Sequence, residues 1–408
     1  MNHRVAANAA LLAVLRLGAP LCSLVVVAAI SRSLGPEGLG RYSLAYAYLA
    51  VFGLLGPLGL PPLVTREGAR DPATLGQLLS SGLVIGGAAS VLLTAAMAAT
   101  SALPSHDAAT ARALLVLSAA LLPSTCLAHF EAAFLALERT TPLAAAAVLE
   151  NTFKVAGGIA LLRAGYGLDA VLAAAVAGRA AACALLIAVL RSLGLRRNGS
   201  ADFASLQALA RAAPVFALSG VCATLYWRID LLLLSRLRGL VEVGHYSAAY
   251  RILDMAILAP QSLCHALLPR LAAEPAGRRE SRDETPGWLL LLTAPVAAAV
   301  TVAADPLLRL LYGPGFEQAS PVLAVLIWTA VPYAWNRYYA CVLVAADRQR
   351  ADLAINALLL ALNVSLNLAM LPRFGARGAA LVTLATAVLY GAAQRAYLRR
   401  VPAPAGAL

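Results

Sequence analysis

SRSLGPEGLGRYSLAY, residues 31–46, and SRLRGLVEVGHYSAAY, residues 235–250, are the two stretches whose comparison decides the fold. Laid over one another at an offset of 204 residues, they agree at eight of sixteen positions. Ser31, Arg32, Gly35, Gly40, Tyr42, Ser43, Ala45 and Tyr46 face Ser235, Arg236, Gly239, Gly244, Tyr246, Ser247, Ala249 and Tyr250. The same offset sets Leu63 and Arg66 against Leu267 and Arg270. Since 204 is half of the 408 residues, the chain reads as two related halves. A weaker echo pairs Tyr166-Gly167 with Phe374-Gly375.

Around the repeat the chain is apolar. Hydrophobic residues make up 61% and charged residues 13%, with a mean hydropathy of +0.77; a soluble domain carries about 25% charge. Twelve runs are long enough to cross a hydrocarbon layer of about 30 Å as helices. They lie at approximately 10–31, 42–62, 76–100, 112–135, 142–163, 168–190, 208–235, 243–268, 287–310, 320–344, 352–371 and 378–398. The first run continues to about Ile30 with no small-x-small cleavage pattern, which predicts a retained span rather than a signal peptide. The expectation is an all-α integral membrane protein of about 12 transmembrane helices in two parallel six-helix lobes, residues 1–198 and 199–408. Each half has an even number of spans, so both enter the membrane in the same sense, and the interface between lobes is the expected place for a substrate.

The net charge of +12 suggests nucleic acid only until the arginines are placed. They sit between apolar runs and form no continuous patch, the pattern of positive-inside topology. The richer set of loops includes Arg191, Arg196, Arg197, Arg270, Arg278, Arg279 and Arg282; the poorer includes Arg163, Arg236, Arg238, Arg373 and Arg377. Both termini are therefore expected in the cytoplasm, with the long polar connections 191–206 and 269–286 on the same side.

Enzymatic chemistry has no visible apparatus. The only lysine, Lys154, follows Phe153 inside an apolar run, so no Walker A loop exists and no nucleotide is expected. His3, His106, His129, His245 and His265 lie in different segments, and no HExxH motif is present. The six cysteines lack CxxC spacing, so neither a metal site nor a disulfide framework is expected.

The informative residues are charges far from any predicted helix end, because each costs about 2.5–3.5 kcal/mol at the centre of a span. Glu150 and Lys154 stand four apart in span five, the spacing of a self-neutralising pair, which would leave Arg179, in the middle of span six, to meet an anionic substrate or to pair with another helix. Arg228 and Asp230 in span seven, and Arg251 and Asp254 in span eight, fall at similar depths, so Asp230–Arg251 or Arg228–Asp254 bridges are feasible. Arg337 in span ten lies beside Trp335, Tyr338 and Tyr339, where it either snorkels to the interface or joins the aromatics in a cavity. His129 and Glu131 are read as interfacial. Tyr42, Tyr46, Tyr246 and Tyr250, two i,i+4 pairs at helix ends, are read as an interfacial aromatic belt.

The stretches Ser31–Arg70, Arg228–Leu271 and Leu311–Ala380, above all LGPEGLGRYSLA and PRFGARGAA, resemble polysaccharide or O-antigen flippases of the Wzx type. Their superfamily also holds the multidrug-and-toxin extruders and the lipid II flippases. The resemblance implies a two-lobe alternating-access transporter, with no cofactor, in the cytoplasmic (inner) membrane of a bacterium. Its cargo would be a polyprenyl-pyrophosphate-linked saccharide bound for O-antigen lipopolysaccharide or exopolysaccharide, and its partners membrane lipids and polysaccharide-assembly enzymes. The sequence departs from the family in having arginine where lysine is common. An ion-coupled drug extruder is the alternative reading, and a polymerase or ligase of lipid-linked sugars a more distant one. The candidate substrate-binding residues are Arg179, Arg228, Arg251, Arg337 and Lys154. Glu150, Asp230 and Asp254 are the candidates for a coupling ion, either H+ or Na+.

Overall fold

In the computed structural model, which describes residues 3–104, 106–193, 224–273, 287–346 and 348–400, the secondary structure is helical throughout, with no strand among the described residues. Each of the twelve apolar runs is helical over most of its length, with a turn at residues 56–60 in the second, apart from the portion of span seven before residue 224, which lies outside the described residues. Two pairs of expected spans are joined into continuous kinked helices. His3–Leu55 carries spans one and most of two, broken at Gly35 (φ 66°, ψ −169°), and Gln349–Arg400 carries spans eleven and twelve, broken at Gly375 (φ 53°, ψ −137°). Such backbone angles are open essentially to glycine alone. Gly239, the repeat partner of Gly35, has φ 86° and ψ 178°, and Gly167, the echo of Gly375, has φ 75°. The repeat is therefore written in backbone conformation as well as in identity.

Other spans are interrupted rather than fused. Leu240–Ala256 passes into Leu258–Ala273, and Gly287–Val302 bends by 75° into Ala304–Tyr312. The fifth expected span contains one π turn, Phe153–Gly157, between Thr141–Thr152 and Gly158–Arg163.

The chain divides into two compact units: Met1–Leu34 with Arg41–Thr224, and Gly35–Gly40 with Leu225–Leu408. The boundary expected at 198/199 lies outside the described residues. In the first unit, the Leu75–Thr100 helix shows how a lipid solvent inverts the usual packing rule. Its buried face is largely small or polar, with Ser81, Gly82, Gly86 and Ser90, while Leu92 is 72% exposed. Small residues let helix backbones approach where no hydrophobic force drives them together. His129 fills the space that Gly82 and Gly86 leave, wholly buried, with Nδ1 2.9 Å from the Thr125 carbonyl oxygen. The interfacial reading of His129 is thus corrected, because the imidazole is a packing partner for two glycines. The main core of this unit joins Phe130, Phe134, Leu143, Leu186 and Leu190.

The second unit is built around Ala330–Ala345, where Tyr338, Tyr339 and Leu343 pack with Leu289 and Cys264. It also contains the crossing of the two repeat segments. A Cβ on Gly40 would collide with the Leu240 carbonyl oxygen, and one on Gly244 with that of Pro36. Since Pro36 and Gly40 are the repeat equivalents of Leu240 and Gly244, the contact is reciprocal. The repeated tyrosines are buried as well: Tyr42, in the first unit, and Tyr246, in the second, are 2% and 1% exposed, and Tyr250 is also buried. The aromatic-belt expectation is corrected for these three, whose rings face protein rather than the membrane interface.

Candidate functional site

In the first unit, Gly178 sets the distance between two spans. A Cβ there would lie 2.7 Å from Phe153 Cβ and 2.9 Å from the Glu150 carbonyl oxygen, so only glycine allows this approach. The next residue, Arg179, reaches across the contact. Its Nη2 lies 2.9 Å from Glu150 Oε1, its Nε donates to the same oxygen at 3.0 Å, and its Nη1 donates to Ser124 Oγ at 2.9 Å. The expected Glu150–Lys154 pair is not formed, and Arg179 is not unmatched. The π turn that starts at Phe153 widens the helix between the two residues and spoils the i,i+4 alignment on which the pair depended.

Lys154 is left with a ring in place of a carboxylate. Its Nζ stands 5.5 Å from the centroid of Tyr46, which packs at 4.5 Å against Tyr42. A cation–π contact supplies about 0.5–2 kcal/mol, less than the roughly 2.5–3.5 kcal/mol that a charge near the middle of a span costs. Lys154 is therefore an under-compensated cation, and an anion would complete it.

In the second unit, Asp230 is 3% exposed. It accepts a short hydrogen bond from Tyr246 Oη and another from the Leu231 amide at 2.8 Å. Tyr246 Oη also lies 3.1 Å from Thr383 Oγ1. Neither interhelical bridge considered from the sequence is formed: Arg251 pairs with Asp254 on its own helix at 3.6 Å, and Arg228 stacks over Tyr250 at 5.8 Å. Aromatic hydroxyl and ring take the places in which carboxylate and guanidinium were expected to meet. Arg337 has a buried Nε with no hydrogen-bond partner.

Charge-led reading passed over a neutral network beside Asp230. Thr386 Oγ1 accepts from Asn363 Nδ2 at 3.1 Å and donates to the Val382 carbonyl at 2.8 Å, while Asn367 Nδ2 donates to Asn363 Oδ1 at 2.9 Å. Asn336 donates to the Ala387 carbonyl at 2.9 Å, and its own Oδ1 is buried without a partner. Asparagines at 363 and 367 and threonines at 383 and 386 share helix faces at i,i+4 and i,i+3. That spacing was the available signal. The set offers oxygen ligands of the kind that suit a hard cation, together with a carboxylate that can take a proton.

Two units of apolar helices, several of them kinked, hold cations and the buried acid Asp230 within the expected spans. Solved structures with this fold include the lipid II flippase MurJ in an inward closed conformation (TM-score 0.78, 13% identity, 96% of this chain and 87% of that one). An inward-facing multidrug resistance MATE family transporter of the MOP superfamily is similar too (TM-score 0.75, 15% identity, 95% and 97%). A third is a MOP superfamily transporter from Pyrococcus furiosus whose binding pocket is described as having reverse polarity (TM-score 0.67, 14% identity, 95% and 93%). The fold is thus that of the MOP superfamily transporters. Residues 5–273 match the family of polysaccharide biosynthesis proteins, and residues 216–369 match the MatE family. The chain belongs to the polysaccharide biosynthesis protein family. Among curated proteins none matches the sequence.

Proposed function

We propose that this protein is a flippase that moves a polyprenyl-pyrophosphate-linked oligosaccharide or polysaccharide repeat unit from the cytoplasmic to the outer leaflet of a bacterial cytoplasmic membrane by alternating access. The observation that carries this reading is the sign of the charge inside the spans. Lys154, Arg179, Arg228, Arg251 and Arg337 outnumber Glu150, Asp230 and Asp254. Among the described residues, Lys154 and Arg228 lie over aromatic rings and form no ion pair with a carboxylate, and Arg337 keeps an unpaired Nε. A pyrophosphate leaving water needs such cations, since charge-assisted hydrogen bonds are what offset its desolvation. Membership of the polysaccharide biosynthesis family supports the sugar-linked cargo. An extruder of cationic compounds would need unpaired acids, and Glu150, Asp230 and Asp254 are each engaged by an arginine or a tyrosine.

Binding tests this directly. Purified protein should bind a short-chain isoprenyl pyrophosphate about 10- to 100-fold more tightly than the corresponding isoprenyl alcohol. Equal affinities, or a preference for a lipophilic cation, would contradict the reading.

Asp230 is the acid we assign to ion coupling, with Tyr246, Thr383 and the Asn363–Asn367–Thr386 set around it. In vesicles, an imposed proton or sodium gradient should speed translocation by the wild-type protein. Asp230→Asn, which keeps an acceptor for the Leu231 amide and turns an N–H toward the Tyr246 hydroxyl, should reduce the rate to that seen without a gradient. Acceleration that survives the substitution would remove Asp230 from this role.

A further inference from the structure

Away from these charges, the second unit carries a basic cleft where the helix ending at Arg238 meets the Gly375 break. Its cavity of about 440 Å³ is lined by Arg238, Arg373 and Arg377, by His245 and Gln318, and by one acid, Glu242. That acid is already engaged. Glu242 Oε2 accepts from the Ala376 amide at 2.9 Å, and its carboxylate lies against Gly375, where a Cβ would come within 2.9 Å of it. Arg238 approaches Glu242 only to 3.8 Å and donates to the Pro372 carbonyl at 3.4 Å. His245 is committed as well, with Nε2 at 3.1 Å from the Gly315 carbonyl oxygen and its ring against Phe316.

Arg373 and Arg377 stand on either side of the break and both open into the cleft. Among the described residues neither has a carboxylate partner. Phe374 between them lines the same cleft and is 53% exposed, which places an apolar ring beside the guanidinium groups. Three guanidinium groups against one engaged carboxylate leave a positive site. Planar forks of this kind recognise phosphate oxygens in pairs.

We infer that this cleft binds the phosphate group of a lipid, with the phosphate on Arg373, Arg377 and Arg238 and the adjoining chain against Phe374. The site is separate from the span-held cations, and it stands whether or not the cargo is sugar-linked. A phosphate-bearing lipid could be bulk anionic phospholipid or an isoprenyl pyrophosphate. The chemistry at the cleft is common to both.

The test is photolabelling of the full chain in phosphatidylcholine nanodiscs, with photoreactive phosphatidylglycerol in one arm and a photoreactive isoprenyl pyrophosphate in the other, and labelled peptides mapped by mass spectrometry. At least one probe should label residues around 238–245 or 373–377. R373Q/R377Q should weaken that labelling about tenfold in apparent affinity. Labelling by phosphatidylglycerol alone would support the proposal with bulk lipid as the source, and labelling by the pyrophosphate probe alone would support it with cargo as the source. R309Q, at an exposed arginine of the same unit paired with Asp305 at 3.1 Å, controls for loss of charge alone. Labelling of these peptides that is unchanged in R373Q/R377Q for both probes, or equally weakened by R309Q, would overturn the proposal. Because labelling is read at the cleft peptides, its outcome is independent of binding at Lys154.

Discussion

Lys154→Met should cut translocation of the lipid-linked cargo roughly 10- to 150-fold, the loss of one hydrogen-bonded charge contact of about 1.5–3 kcal/mol, while leaving the thermal unfolding temperature unchanged or slightly higher. The stability half of this result follows from geometry. Lys154 has a ring at 5.5 Å and no carboxylate partner among the described residues, so its removal strands no acid and relieves an under-compensated charge. Arg179→Gln should behave oppositely. It would leave Glu150 without its partner; a fully buried broken pair costs about 3–5 kcal/mol, which we reduce to about 1–3 kcal/mol because both side chains keep some exposure. Glu150→Gln in the Arg179→Gln background should restore the lost stability, since a neutral pair leaves no charge unmet. Unfolding in detergent, followed by intrinsic fluorescence, separates these outcomes. If Lys154→Met proved as destabilising as Arg179→Gln, the assignment of partners around the π turn would be wrong.

Gly40→Val and Gly244→Val should each prevent recovery of folded protein, or lower stability by about 3 kcal/mol or more. Overpacking usually costs 1–3 kcal/mol because neighbouring side chains can move. At these two positions the obstacle is the carbonyl oxygen of Leu240 or Pro36, which belongs to the backbone of the opposing segment and cannot rotate away. Gly87→Ala is the control. It lies in the Leu75–Thr100 helix with nothing within 4 Å of the added Cβ, so alanine's better helix propensity should leave stability equal or up to ~1 kcal/mol higher. Membrane yield and thermal unfolding of the three variants check the prediction. Normal yield and unfolding for Gly244→Val would show that the repeat segments do not cross as described.

The spans were legible because length and apolarity are what a bilayer demands of a helix, and the sequence carries both openly. Their joining at Gly35 and Gly375 was less legible, since a glycine between two apolar runs reads equally as a loop or as a kink. The reciprocal crossing at Gly40 and Gly244 was present in the sequence as identity, but identity gives no distance. Charges were harder. The Glu150–Lys154 pair follows from a 3.6-residue helix, and the π turn that breaks it leaves no mark in composition or spacing. Tyr42 and Tyr246 were misplaced because helix-end tyrosines are ordinary at a membrane interface, and nothing along a single span says whether its end faces lipid or protein. Asn363, Asn367, Thr383 and Thr386 escaped a search guided by formal charge. Uncharged groups are the cheaper way to place oxygen inside a membrane, and a search for polar residues of any charge would have found them.

In the proposed mechanism, span-held cations carry a pyrophosphate-linked saccharide across the bilayer. Its most direct measurement is the leaflet exchange of a fluorescent polyprenyl-pyrophosphate oligosaccharide in vesicles containing the purified protein. Protein-dependent exchange is expected, lost when the pyrophosphate is replaced by a neutral linkage and greatly slowed in Lys154→Met. Exchange no faster than in protein-free vesicles, or equally fast for the neutral-linked lipid, would contradict it.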